Sequence, residues 1–138
     1  MKHYSLLAFA GFLFCTNIVF AQEHIPGLVL TIEGSSGAQD RHSAELPALY
    51  VPPGEAASPF LTPGPFQAHW RGFLNLESRS RLYFSFSGKG KASLKVDGET
   101  LLETEGEDLS QMESERHRLN SGHHPIEVYY QGLSLIHI

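Results

Sequence analysis

The feature that most constrains this chain is side-chain alternation in short segments, apolar on one side and polar on the other. Phe66, Ala68 and Trp70 fall on one face of an extended segment, with Gln67, His69 and Arg71 on the opposite face. Leu82, Phe84 and Phe86 alternate with Tyr83, Ser85 and Ser87. Ala92, Leu94 and Val96 alternate with Ser93, Lys95 and Asp97, and Ile126, Val128 and Tyr130 with Pro125, Glu127 and Tyr129. A period of two marks strands with one buried face, and no long segment repeats at the helical period. The expected fold is an all-β antiparallel β-sandwich or barrel, with the aromatic faces closing over a shared interior.

Punctuation supports this layout. Gly27 to Ile32 is an opening strand, broken by Gly34-Ser35-Ser36-Gly37, and Leu46 to Val51 is a second short apolar stretch. Pro52, Pro53, Pro59, Pro63 and Pro65 follow within a stretch rich in glycine and small residues. No helix or central strand tolerates that proline density, so the stretch is either an ordered surface loop or a flexible linker. Gly72 marks a bend or a close backbone approach, and Gly88-Lys89-Gly90 a turn. Asp97-Gly98 is a two-residue hairpin turn in which both positions need positive φ, with Thr100 to Glu103 returning. Glu105 to Glu115 reads mainly as loop with room for one helical turn, Arg116 to Leu119 as a short strand, and Asn120-Ser121-Gly122 as a turn. Pro125 requires the start of a strand or an edge.

The 138 residues suffice for one domain. Acids outnumber Lys plus Arg by 15 to 10, which disfavours nucleic acid, and the sequence lacks a basic amphipathic stretch for an anionic membrane surface. Residues 1–21 read as a signal peptide: a basic start at Lys2, an apolar run from Leu6 to Phe14, and a small-residue cleavage site at Val19-Phe20-Ala21. An uncleaved anchor is the alternative. A lipoprotein signal would want a small residue before Cys15, where Phe14 stands. Removing this segment removes the single cysteine and Lys2, taking the net charge from −5 to −6. The expectation is a secreted or periplasmic protein without membrane insertion, stabilised by packing rather than disulfides.

The ordered series Phe66-x-x-x-Trp70-x-Gly72-x-Leu74, Tyr83 and Phe86, Leu94-x-Val96-Asp97-Gly98 and Gly122-x-His124-Pro125-Ile126-x-Val128-x-Tyr130 resembles the PA14 domain, over Gly27 to Gln131. The resemblance implies a β-sandwich or barrel of extracellular proteins that in several members binds carbohydrate. Calcium-dependent sugar binders of that family carry adjacent aspartates before the L-x-V-D-G strand. Here Gly88-Lys89-Gly90 stands there, and lysine cannot ligate calcium; no metal residues carry over and no cofactor is expected. Leu46-Pro47-Ala48-Leu49-Tyr50-Val51-Pro52 and Pro59 to Phe66 are similar to a narrower PA14-like subset at the front of large cytochrome-containing proteins of planctomycete-type bacteria. The expected organisation is a signal peptide, a PA14-like domain over 22–131, and a tail over 132–138. The tail is either a short apolar strand or a non-native end replacing the family's last strand. In the second case the domain lacks one strand and the chain is an N-terminal fragment.

The site candidates are sparse. His123 and His124 are sequence neighbours, so on a strand they point to opposite faces, and no histidine spacing converges as zinc requires. Glu77, Glu99, Glu103, Glu105, Glu107 and Asp108 could supply a glycosidase carboxylate pair, but such acids in polar loops read more simply as a solvated surface, so no catalytic residue and no enzyme activity are expected. Outward-facing Tyr83 and Tyr129, with Tyr50 and Phe60 in support, could stack on sugar faces or simply cover the sheet. Lys89 and Lys91 at a turn tip could contact an acidic polysaccharide or merely solubilise it. Tyr83, Lys89, Lys91 and Tyr129 are therefore the candidate ligand-binding residues of a non-catalytic module that binds a glycan or cell-surface polymer. The alternative is a spacer packing against downstream domains of the same parent chain.

Overall fold

The computed structural model describes residues 27–132 and the backbone of Ile136–His137. The signal-peptide reading of 1–21 and most of the tail lie outside these residues. The described chain is almost wholly β. One six-stranded antiparallel sheet contains β1 (Leu28–Gly34), β2 (Gln39–Ala44), β3 (Phe66–Leu76), β6 (Gly90–Val96), β7 (Glu99–Gly106) and β9 (Gly122–Gly132), in the order β2-β1-β3-β9-β6-β7. Two small sheets accompany it: β4 (Ser80–Leu82) with β8 (His117–Leu119), and β5 (Ser87–Gly88) with β10 (Ile136–His137). The large sheet ends on two edge strands, so the fold is of the sandwich kind and not a closed barrel.

Alternation explains which face is inside. Leu28, Leu30 and Ile32 of β1, Phe66, Ala68 and Trp70 of β3, Ala92, Leu94 and Val96 of β6, and Val128 and Tyr130 of β9 are all buried. Against this face the second layer contributes Val51 and Leu61 from the proline-rich loop, Phe86 from the approach to β5, and Leu109 from a single 3-10 turn at Leu109–Gln111. Phe84 packs half-buried on the same cluster. Trp70, Phe84, Phe86 and Tyr130 thus share one interior, as the aromatic spacing predicts. Full burial of each such side chain stabilises by roughly 1.5–3 kcal/mol.

Three glycine and turn readings hold for identifiable reasons. Asp97 and Gly98 have φ of 54° and 81°, the left-handed pair that a tight hairpin requires. A Cβ on Gly72 would lie 2.6 Å from the Gly27 carbonyl oxygen and 2.7 Å from Leu28 Cδ2, so β1 and β3 approach closely there. Gly90 sits at φ 121°, and a Cβ there would meet the Gln131 carbonyl oxygen at 2.6 Å and the Tyr130 ring at 2.9 Å. The Tyr130 hydroxyl beneath it donates to the Lys89 carbonyl at 2.7 Å. Tyr130 therefore seats its ring in the core and fastens the Lys89 turn with its polar end, the usual arrangement for a buried tyrosine.

Other readings need correction. The segment 82–86 is not a continuous strand: β4 stops at Leu82, and Phe84 instead exchanges bonds with Ser114, its N–H to the Ser114 hydroxyl and its carbonyl to the Ser114 N–H at 2.8 Å. The apolar stretch Leu46 to Val51 forms no strand of the sheet; Val51 is buried while Leu46 and Tyr50 point out. The second strand is instead the polar Gln39–Ala44, an edge whose side chains are mostly exposed. Pro125 lies well inside β9, an interior strand, not at a strand start. It is tolerated because β6 pairs with β9 only up to Val96 opposite Ile126, and the Pro125 carbonyl accepts the Asp97 N–H at 2.9 Å. A strand residue's nitrogen and carbonyl face the same side, so the missing donor faces the place where β6 turns away.

The proline-rich segment is an ordered loop rather than a linker. Ser58 is buried, donates to Asp40 Oδ2 of β2 at 2.5 Å, and receives the Phe60 N–H at 3.2 Å. Val51 and Leu61 flank that anchor in the core.

His124 clamps two turns. Its Nδ1 is 2.7 Å from Asp97 Oδ2, and its Nε2 is 2.9 Å from the Asn120 carbonyl oxygen. Both ring nitrogens face acceptors, so only the imidazolium satisfies both. The Asn120 carbonyl and then the Asp97 carboxylate accordingly raise the ring's pKa above its ordinary 6.5. A group raised on folding stabilises fully below its unfolded value and loses that contribution as pH rises through the folded value. In thermal melts, His124→Ala is expected to lower Tm clearly at pH 5 and much less at pH 9. Equal losses at both pH values would refute the charged clamp.

Candidate functional site

The face of the large sheet away from the core carries the most organised set of polar groups. Because every strand is antiparallel and in register, residues far apart in sequence line up across it. One row runs Arg41, Thr31, His69, Tyr129, Ser93, Glu103 across all six strands. The adjacent row runs Gln39, Glu33, Gln67, Gln131, Lys91, Glu105. Directly opposed strand residues stand close enough for their side chains to interact.

The centre of this face is aromatic. The His69 and Tyr129 rings lie 6.3 Å apart at 67°, edge to face, both half-buried. His69 Nε2 is 3.5 Å from Glu127 Oε2, and Arg71 Nη2 is 3.5 Å from Glu127 Oε1, so one carboxylate steadies both groups beside Tyr129. These exposed pairs are worth little to stability; their effect is to hold orientation. A cleft of about 280 Å³ opens here, bordered by Thr31, Arg41, Gln67, His69, Arg71 and Tyr129 among others.

A second cleft, of about 390 Å³, lies at the Gly88–Gly90 end, with Lys89, Gly90, Lys91, Glu105, Glu107 and Gln131 on its walls. Lys91 Nζ stands 3.7 Å from Glu103 and 3.8 Å from Glu105. Its charge is answered by neighbouring carboxylates, while the exposed Lys89 is positioned through its backbone by Tyr130.

The four candidate residues thus separate. Lys89 and Lys91 line one cleft and Tyr129 another, and Lys91 and Tyr129 share the outer face on neighbouring strands. Tyr83 is 55 % exposed beyond β4 and borders none of these clefts; nor do Tyr50 and Phe60. Sequence reasoning placed Gln67, His69 and Arg71 outward but not as site residues, and missed Arg41 and Gln131. The available signal was the polar half of the alternation, which marks exposure without showing which strands are neighbours. Among the described residues no group of three or more His, Cys, Asp or Glu is placed to hold a metal.

No family model matches the chain, and no curated protein matches it by sequence. Among solved structures it is similar to part of a GH31 alpha-xylosidase from Xanthomonas citri, with a TM-score of 0.56 and 16% identity over 83% of this chain. The match spans 16% of that enzyme's length. At this identity the likeness concerns the fold: the all-β arrangement of this chain recurs as a minor part of a larger protein.

Proposed function

We propose that this chain is an exported, non-catalytic, PA14-like module that binds carbohydrate or a cell-surface polymer through the outer face of its large sheet. The observation that carries the reading is the His69–Tyr129 pair at the centre of a polar face, flanked by arginine, glutamine and carboxylate side chains. An aromatic surface stacks on the C–H face of a sugar, while flanking amides and charged groups bond its hydroxyls, the mixture expected of a specific small-molecule surface. Recurrence of the fold within an alpha-xylosidase supports a carbohydrate setting.

The test is retention of the purified protein on immobilised polysaccharides, neutral and acidic. The native chain is expected to be retarded on at least one of them. Tyr129→Ala is expected to weaken binding about tenfold or more, equivalent to roughly 1.4 kcal/mol, with an unchanged Tm; Tyr83→Ala should leave binding intact. Failure to bind any member of a broad panel would refute the proposal.

A further inference from the structure

The clefts on and beside the outer face share lining residues. A third, of about 370 Å³, borders Glu33, Gln67 and Gln131. It shares Glu33 and Gln67 with the His69–Tyr129 cleft, and Gln131 with the Lys91 cleft. In strand order their lining residues form one track over the outer face, from Arg41 on β2 past the His69–Tyr129 pair and the Gln67–Gln131 amides to Lys91 on β6. Strands lie about 4.8 Å apart, so from β2 to β6 the track extends on the order of 19 Å. That is room for several sugar units rather than one.

The lining chemistry narrows the ligand. Gln67 and Gln131 are directly opposed on β3 and β9, and each amide offers both donors and acceptors. Two of the lining charges are answered locally, Arg71 by Glu127 and Lys91 by two carboxylates, while Glu33 accepts a bond from the neutral Gln39 amide at 2.6 Å. The protein as a whole carries a net charge of −5, which repels a polyanion. An uncharged, hydroxyl-rich chain satisfies these groups without that penalty.

Building on the carbohydrate reading above, we infer that the three clefts together form a multi-subsite groove for an internal stretch of a neutral linear polysaccharide. One sugar stacks on Tyr129 and its neighbours bond to Gln67 and Gln131. Recognition is of a run of units, with no requirement for a chain end.

Calorimetric titration of the full chain with cello-, xylo- and manno-oligosaccharides, from disaccharide to hexasaccharide, tests this. For one series, affinity is expected to rise about tenfold or more with length, to change little between low and high salt, and to fall in both Gln67→Ala and Gln131→Ala. Blocking the chain's reducing end by reduction should not matter. Equal affinity for the disaccharide and hexasaccharide would overturn the groove while leaving a single-sugar site standing, as would unaltered binding in both glutamine variants. Binding confined to uronate or sulfated chains, and lost with salt, would overturn the neutral class alone. No binding to any saccharide would remove the underlying function as well.

Discussion

Trp70→Ala is expected to lower the unfolding free energy by about 3–5 kcal/mol, the range for truncating a large buried aromatic. Trp70 has no exposed surface, on the interior strand β3, whose neighbours β1 and β9 both contribute to the same core. Among the described residues there is no disulfide to hold the fold once that volume is lost, and domains of this size are stable by only about 5–15 kcal/mol. Denaturant unfolding should show a large drop in midpoint with little change in slope. Among the described residues the buried indole nitrogen of Trp70 has no hydrogen-bond partner, a desolvation cost of about 1–3 kcal/mol. Trp70→Phe removes that cost while retaining a ring, so its loss should be distinctly smaller than that of Trp70→Ala. Equal losses in the two variants would show that ring packing contributes little here.

Gly90→Ala is expected to cost about 2 kcal/mol or more through backbone strain and overpacking. Its φ of 121° is one that L side chains rarely adopt, and the added Cβ would press on the Gln131 carbonyl and the Tyr130 ring. Relief requires moving β6 away from β9 or withdrawing Tyr130, and either would loosen the hydroxyl's bond to the Lys89 carbonyl. Gly37→Ala is the matched control: its φ is 79°, but nothing lies within 4 Å of the new Cβ. Thermal melts should show a clearly larger loss at position 90 than at position 37. Comparable losses would mean that φ alone, and not the tyrosine beneath, explains the glycine.

These contrasts show how unevenly the fold could be read from the residues. Strands β3, β6 and β9 announce themselves because one face of each is apolar and alternation is a local property. Strand β2 did not, because Gln39–Ala44 is an edge with little buried surface. Its pairing is directed by backbone bonds to β1, which leave no mark on side-chain type. The 82–86 segment misled in the opposite direction: Phe84 and Phe86 face the core in the right phase, but Phe84 bonds to Ser114 instead of extending β4. Apolar phase reports burial, not the identity of the hydrogen-bond partner.

The candidate site divides in the same way. Tyr129 and Lys91 were legible as outward residues of strands, and the Lys89 turn from its flanking glycines. The chain alone also determined the all-β class, the Asp97-Gly98 hairpin and the aromatic set that fills the interior, because each depends on neighbours in sequence or on burial of an apolar face; at Gly72 it left a bend or a close approach open, and the packing of β1 on β3 decided for the latter. Only the tertiary structure decided that His69 stands against Tyr129, that Gln67 opposes Gln131, and that Arg41 joins their row. Those pairs come from strand order and register between segments tens of residues apart, and polar side chains facing water carry no periodic signal of which strand lies beside them.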